Sequence, residues 1–302
     1  VRFLPHRFFY TDCGTLTTQY KTLHMSHPEN TLILKRKIPR DQTEIPCVGL
    51  GTYRTFDHPS LPAHTEPLMR ALDAFYSHGG RLIDTSPMYG KSEEMVGELT
   101  ERSGFNDRCL FATKVWTTGR EDGIRQIHRS LKLLKRERID LLQIHNLVDW
   151  KIHLETLNRL KEQGVIRYTG ITHYTPTAFS EMERIMLSDR IDFIQIPYSV
   201  NLRHAEKRIL PLAADREIAV LINMPFGGHP PEITGRAIPT KFIDRGVQSE
   251  TELRLKFILA HPAVTCVIPG SGNAEHIRRN LRAGTGWIPN EVERTEILNF
   301  FK

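Results

Sequence analysis

Short apolar runs alternate along this chain with longer stretches in which apolar residues recur every three or four positions. The runs occupy residues 47–51, 81–84, 109–114, 139–145, 167–171, 193–196, 218–222 and 265–268. They are brief and rich in Ile, Leu and Phe, the pattern of buried strands. Between them, Leu68, Leu72 and Phe75 keep helical spacing, as do Ile124, Ile127, Leu131 and Leu134. The same spacing links Phe179, Met182 and Met186; Ile209, Leu212 and Ala213; and Leu253, Phe257 and Ala260. Thr175 ahead of Pro176 predicts a cap followed by proline at the first helical position, and Asn290 with Glu293 predicts a capping box.

Eight strand-then-helix units predict an α/β fold, a closed (β/α)8 TIM barrel forming a single domain over residues 31–302. A doubly wound open sheet is the competing topology, but Gly49-Leu50-Gly51 lacks the third glycine of a dinucleotide fingerprint. Residues 31–46, with Pro39, Arg40 and Asp41 near their centre, predict an N-terminal hairpin plugging one barrel end. Residues 225–247, rich in Pro and Gly without a clean period, predict a long loop after the seventh strand, over the barrel mouth. Residues 1–30 show neither period and predict an irregular extension. Met25 lies just ahead of the regular pattern and is a candidate natural start.

Composition narrows the function classes. Hydrophobic content of 39% and charged content of 25% belong to a globular chain able to bury a sizeable core. No apolar stretch approaches the roughly 20 residues of a membrane span, and no signal-peptide pattern opens the chain. Four scattered cysteines form no Cys-x-x-Cys pair, so reduced thiols and a cytoplasmic location are expected. Fourteen histidines fall into no metal-ligand spacing, so no metal site is expected. The net charge of +6 is spread among acids instead of forming the basic stripe that nucleic-acid binding calls for, while a basic cleft would favour an anionic cofactor or substrate. The sequence carries no signature of oligomeric state.

The candidate chemistry sits at strand ends. Asp84, Lys114 and His145 close three successive apolar runs, and Tyr89 lies just past the first. Barrels build active sites from the carboxyl ends of their strands. A free tyrosine, with a pKa of about 10, is a slow acid, and a neighbouring ammonium lowers that value. Lys114 fits that role, Asp84 fits as the lysine's partner, and His145 fits as a donor to a carbonyl oxygen. Taken singly, each residue also has a plain structural reading. Asp84 then caps a turn, Lys114 snorkels from the rim, Tyr89 is a loop aromatic and His145 a satisfied core histidine. It is their coincidence on consecutive strand ends that points to an enzyme.

Gly49-Leu50-Gly51-Thr52, Asp84-Thr85 with Tyr89-Gly90 and Ser92-Glu93, Thr113-Lys114 and the Gln143-Ile144-His145 strand end resemble the aldo-keto reductase superfamily. Gly170-Ile171-Thr172-His173, Gln195 and Ile268-Pro269-Gly270-Ser271 continue the resemblance in order, over roughly residues 31–300. The resemblance implies a barrel that binds NADPH in extended form, with a tetrad of Asp84, Tyr89, Lys114 and His145 in which Tyr89 is the general acid of carbonyl reduction. Histidine at the fourth position fits aldehyde or ketone reduction, because members that reduce a steroid carbon–carbon bond carry an acid there.

On the cofactor side the resemblance implies Thr172, His173 and Gln195 at the nicotinamide carboxamide, with His173 equally open to a structural role. Asn223 stands where the family often stacks a tyrosine on the nicotinamide, so either Met224 or Phe226 packs there instead or that contact is absent. Gly51, Thr52, Pro225 and Gly227 complete the strand-end contacts. Ser271, Gly272 and Asn273 open the last barrel helix, whose N-terminus suits a phosphate. The usual clamp for the 2′-phosphate is incomplete: its lysine is Gly270 and its arginine His276, with Arg278 and Arg279 nearby, while Asn280 matches the adenine contact. NADPH is the expected cofactor and NADH the alternative. Tyr53, Met88 and Trp116 fall where members line the pocket for a small-molecule carbonyl substrate, although Trp116 fits a core position equally well. Two other readings stay open: a dinucleotide-binding regulatory subunit with little turnover, and a different barrel enzyme, an isomerase or lyase.

Overall fold

The computed structural model describes residues 32–228 and 231–302. The expectations for residues 1–30, Met25 included, fall outside them. The first elements are the hairpin strands β1 (Lys35–Lys37) and β2 (Glu44–Pro46), paired antiparallel with Lys35 opposite Pro46. Barrel strands and helices then alternate: β3 (Leu50–Gly51), α1 (Pro62–Ser77), β4 (Leu82–Asp84), α2 (Ser92–Arg102), β5 (Leu110–Val115) and α3 (Arg120–Leu133). The middle of the chain adds β6 (Ile139–His145), α4 (Trp150–Glu162), β7 (Ile166–Thr172), α5 (Phe179–Ser188), β8 (Phe193–Pro197) and α6 (Ile209–Asp215). It ends with β9 (Ala219–Asn223), the short α7 (Thr240–Ile243), α8 (Glu250–Leu259), β10 (Cys266–Val267), α9 (Ala274–Arg282) and α10 (Glu291–Phe301).

Strands β3 to β10 pair in parallel in chain order, and the sheet closes on itself through bridges from Val48 to Val267 and from Gly51 to Gly270. This is the expected (β/α)8 barrel, with all eight predicted runs contributing a strand. The first and last runs supply only two ladder residues each, the remainder being held by single bridges across the seam.

Because successive side chains of a strand point to opposite faces, each strand divides its residues between two cores. Ile83, Phe111, Leu142, Ile144, Ile171, Ile194 and Ile222 join the layer shared with the helices, where Leu68, Leu72 and Phe75 of α1 are buried as expected. Leu82, Ala112, Leu141, Tyr168, Phe193 and Leu221 form a second cluster inside the barrel. Ile38 and Ile45 of the hairpin belong to this inner cluster, so the hairpin does plug the amino-terminal end. Its turn is anchored by Asp41, which accepts hydrogen bonds from Tyr168 at 2.6 Å and Arg167 at 3.0 Å.

One local expectation is met only in part. Thr175 stands at the cap position with Pro176 following, but of a 3-10 turn ahead of α5, and its side chain makes no cap bond: the hydroxyl contacts His173 Nδ1 and Thr177 instead. The 225–247 segment leaves the mouth end of β9 as expected, meets the loop after β8 through a hydrogen bond from Asn201 to Glu232, and is fastened to the outer helices. Thr234 and Arg236 amides donate to the Glu250 carboxylate on α8, and Lys241 and Arg245 pair with Glu296 and Glu293 on α10. The capping box of Asn290 and Glu293 forms as predicted.

Candidate active site

The alternation that builds the inner core also builds the site. Two residues beyond an apolar member of that core, the same face of the strand reaches the mouth and turns polar. Leu82 leads to Asp84, Ala112 to Lys114, Leu141 to Gln143 and His145, Tyr168 through Gly170 to Thr172, Phe193 to Gln195, and Leu221 to Asn223. Gly170 is required in this ring, because a Cβ there would lie 2.9 Å from the Phe193 carbonyl and 3.2 Å from Cγ of Gln143.

Lys114 and Asp84 form an ion pair at the centre, with Nζ 2.9 and 2.8 Å from the two carboxylate oxygens and 2.6 Å from the Thr85 carbonyl. Both side chains are almost wholly withdrawn from water. Gln143 donates to one Asp84 oxygen and Gln195 to the other, each at 3.3 Å, and the Thr52 hydroxyl donates to the Asp84 carbonyl at 3.0 Å. Burial works against the Lys114 ammonium, but attraction to Asp84 and Tyr89 outweighs it and holds the group above its ordinary pKa. The lysine is therefore a fixed cation.

Tyr89 reaches this pair by way of a tight turn. The Tyr89 amide donates to the Ser86 carbonyl at 2.9 Å, with Pro87 pre-set at the second turn position. Gly90 follows with φ of 59°, and a Cβ there would fall 2.2 Å from an Asp57 oxygen that accepts from the Lys91 amide. The result sets the Tyr89 ring centroid 4.9 Å from Lys114 Nζ, 5.0 Å from the Tyr53 ring and 5.9 Å from the His145 ring, edge-on. The phenol's acidity departs from the simple expectation. Burial raises its pKa; Lys114 pulls it down, as anticipated, without cancelling the rise, to which Asp84 adds. Tyr89 is held as the neutral phenol.

His145 is also held neutral. Burial first, then the nearby Lys114 and His173, push its pKa down to about 3. Its Nδ1 lies 3.1 Å from the Ser86 hydroxyl. The chain leaves β6 through Asn146 and Leu147, both with positive φ, a conformation that costs non-glycine residues energy and clusters at functional sites.

Further round the mouth, Thr172 and Gln195 are buried and His173 is half-buried. His173 Nδ1 accepts from the Thr175 amide at 3.1 Å, which leaves its Nε2–H as a single free donor. With their amide nitrogens engaged, the side-chain oxygens of Gln195 and Asn223 are buried acceptors without a partner. Gln143 Oε1 is a third such acceptor, and acceptors of this kind beside one imidazole donor suit a primary carboxamide, which brings two N–H donors and one oxygen. Pro225 and Gly227 are buried, Met224 and Phe226 half-buried, and a Cβ on Gly227 would meet the Glu232 carboxylate at 2.6 Å. At α9, Asn273 caps the helix by accepting from the Glu275 and His276 amides at 2.9 and 3.1 Å, and its own amide donates to Ser271 Oγ. Gly272 packs against Leu68 and the Thr55 carbonyl. Arg278 and Arg279 both pair with Glu275, His276 is exposed and Asn280 is buried.

The aldo/keto reductase family model matches residues 47–229, more than half of the sequence. The chain belongs to the aldo/keto reductase family. Among curated relatives, the uncharacterized oxidoreductase YqkF of Bacillus subtilis is 26% identical over 86% of this chain and 94% of its own. Methylglyoxal reductase YeaE of Escherichia coli is 24% identical, covering 78% and 84% respectively. A Klebsiella pneumoniae aldo-keto reductase solved with NADPH superposes with a TM-score of 0.75 at 23% identity, over 89% of this chain and 96% of that one.

In this aldo/keto reductase Trp116 is not a core residue. It is 43% exposed, its ring lies 6.3 Å from that of His145, and its backbone is gripped at both ends by the side chain of Gln126. Tyr53 and Met88, both half-buried, lie on the loops that flank Tyr89. Sequence reasoning missed two contributors, Gln143 and Ser86. Gln143 sat in view inside the Leu141, Gln143, His145 alternation. Ser86 had no signal beyond its place in the turn. Among the described residues no group of three or more His, Cys, Asp or Glu is arranged to hold a metal, and no helix is long and apolar enough to cross a membrane.

Proposed function

We propose that this aldo/keto reductase converts aldehydes or ketones to alcohols with NADPH as reductant, Tyr89 giving its proton to the carbonyl oxygen. The observation that carries the reading is the Lys114 ammonium, locked by Asp84 at 2.8 Å and set 4.9 Å from the Tyr89 ring. NADPH, when bound, supplies the hydride. Thr172, His173 and the free oxygen of Gln195 would hold its carboxamide, with Gly51, Thr52, Pro225 and Gly227 along its length. Ser271, Gly272 and Asn273 at the α9 N-terminus would hold phosphate, with His276, Arg279 and Asn280 toward the adenosine. NADPH is preferred over NADH because the Klebsiella relatives were solved with NADPH and with NADP.

The electrostatics suit a proton donor. A phenol raised above its ordinary pKa keeps its proton at neutral pH, so the acid form is always present. An alkoxide is a far stronger base than a phenolate, and the fixed ammonium of Lys114 stabilises the phenolate once the proton has left. His145, neutral and beside Tyr89, donates to the same oxygen and orients it. Tyr53, Met88 and Trp116 present apolar and aromatic surface to the group attached to the carbonyl, which fits an apolar or aromatic aldehyde or ketone.

Steady loss of the reduced-nicotinamide absorbance across a panel of aldehydes and ketones tests the reading. Tyr89→Phe should lower the rate by about 10²–10⁴-fold while leaving NADPH affinity unchanged in a fluorescence titration. Absence of turnover across the panel, with NADPH still bound, would favour a dinucleotide-binding regulatory subunit instead. Isothermal titration with both dinucleotides checks the cofactor, and equal or weaker affinity for NADPH would overturn that preference.

A further inference from the structure

We infer that Ser86 is a positioning residue that fixes the His145 imidazole as its Nε2–H tautomer and so aims the histidine's only N–H at the substrate oxygen. The inference deepens the reductase reading and rests on it for its catalytic consequence. Ser86 is fully buried at the first position of the turn that delivers Tyr89, and its hydroxyl lies 3.1 Å from His145 Nδ1. The Met88 amide donates to the same oxygen at 3.2 Å, so Ser86 Oγ already accepts one hydrogen bond locally. Were Nδ1–H to donate to the oxygen's second lone pair, the buried hydroxyl proton would have no acceptor among the described residues; donation from the O–H to Nδ1 satisfies both groups. A ring nitrogen that accepts carries no proton, so the neutral imidazole bears its proton on Nε2, across the ring from Ser86.

The surroundings keep this arrangement from being lost to protonation. Lys114 and His173 are the cationic or titratable groups that disfavour charge on His145, and the aromatic rings of Tyr89 and Trp116 approach it from the mouth. One turn thus governs both proposed donors to the carbonyl. Its backbone places Tyr89, and its first side chain sets which nitrogen of His145 is protonated.

The test reads the tautomer directly. Long-range hydrogen–nitrogen correlation spectra of protein labelled at histidine nitrogen, with His145 assigned by loss of its signals in His145→Gln, distinguish a protonated from a bare ring nitrogen. The wild type, alone and with saturating NADPH, should show a bare Nδ1 and a protonated Nε2. Ser86→Ala should show mixed tautomers or a proton on Nδ1. Its kcat should fall about tenfold, the scale of one neutral hydrogen bond, with KM for NADPH unchanged. Ser86→Thr, which keeps the hydroxyl, should restore both the spectrum and most of the rate. A wild-type Nδ1 that is protonated overturns the inference, as does a Ser86→Ala protein with unaltered tautomer and rate. A bare Nδ1 in a wild-type protein that turns over no carbonyl supports the assignment to Ser86 and removes the reductase reading.

Discussion

Asp84 and Lys114 show what it takes to keep a charge pair out of water. Each carboxylate oxygen is bonded twice, by Lys114 and by one of Gln143 and Gln195, so no lone pair is left to pay for burial unaided. Lys114→Met alone should therefore cost about 3–5 kcal/mol in urea unfolding, because it strands the Asp84 charge. The double variant Asp84→Asn with Lys114→Met should recover much of that loss while remaining inactive. A double variant no more stable than the single would show that the pair is not the source of the cost. His145 gives a second prediction, in pH. Its folded-state pKa, at about 3, lies below the unfolded value, so between those limits the unfolded chain binds a proton that the folded one refuses. Stability attributable to this residue is full above about pH 6.5 and is lost as pH falls toward 3, by at most about 1.4 kcal/mol per pH unit. Unfolding curves of His145→Gln should have a flatter acid limb than the wild type across that window.

Among the elements, the 86–89 turn matters most for chemistry. Gly90 ends it in the left-handed region, and the Asp57 carboxylate that a Cβ would strike is tied to the Lys91 amide. Gly90→Ala should cost about 1–2 kcal/mol and displace Tyr89, lowering kcat more than NADPH affinity. An unchanged rate would mean that the turn tolerates the shift. At this scale the sequence was most informative where a pattern is local. Alternating runs marked all eight strands, and Asp84, Lys114 and His145 were visible as polar ends to apolar runs. The hairpin and the Asn290 box were equally readable. Partners remote in sequence left no local pattern: Ser86 and His145 are 59 residues apart, as are Gln143 and Asp84. Thr175 does hold the cap position, but its hydroxyl is taken by His173 two residues before it, a competition the cap pattern does not announce. The long loop itself was readable, but its anchors, Glu250, Glu293 and Glu296, were not, because they lie on helices that follow it.

For the molecule as a whole, closure of the barrel is what joins stability to chemistry. The seam between the first and last strands is narrow and built on glycine. Gly51 donates to the Pro269 carbonyl at 3.2 Å, a Cβ on Gly51 would sit 2.8 Å from the Ile268 carbonyl, and one on Gly270 would sit 3.3 Å from the Gly51 carbonyl. These are backbone atoms, which cannot swing aside as a side chain can. Gly51 is also the ladder partner of Asp84, so any opening of the seam is felt at the ion pair. Gly51→Ala should accordingly cost about 1–3 kcal/mol in unfolding and lower kcat in the same protein. Asn290→Ala is the control. It removes the cap of α10, outside the strand ring, and should cost about 1 kcal/mol with no change in rate. If both variants lose stability and only Gly51→Ala loses activity, the seam holds the site as well as the fold. Equal activity in the two would show that the mouth is insulated from its own closure.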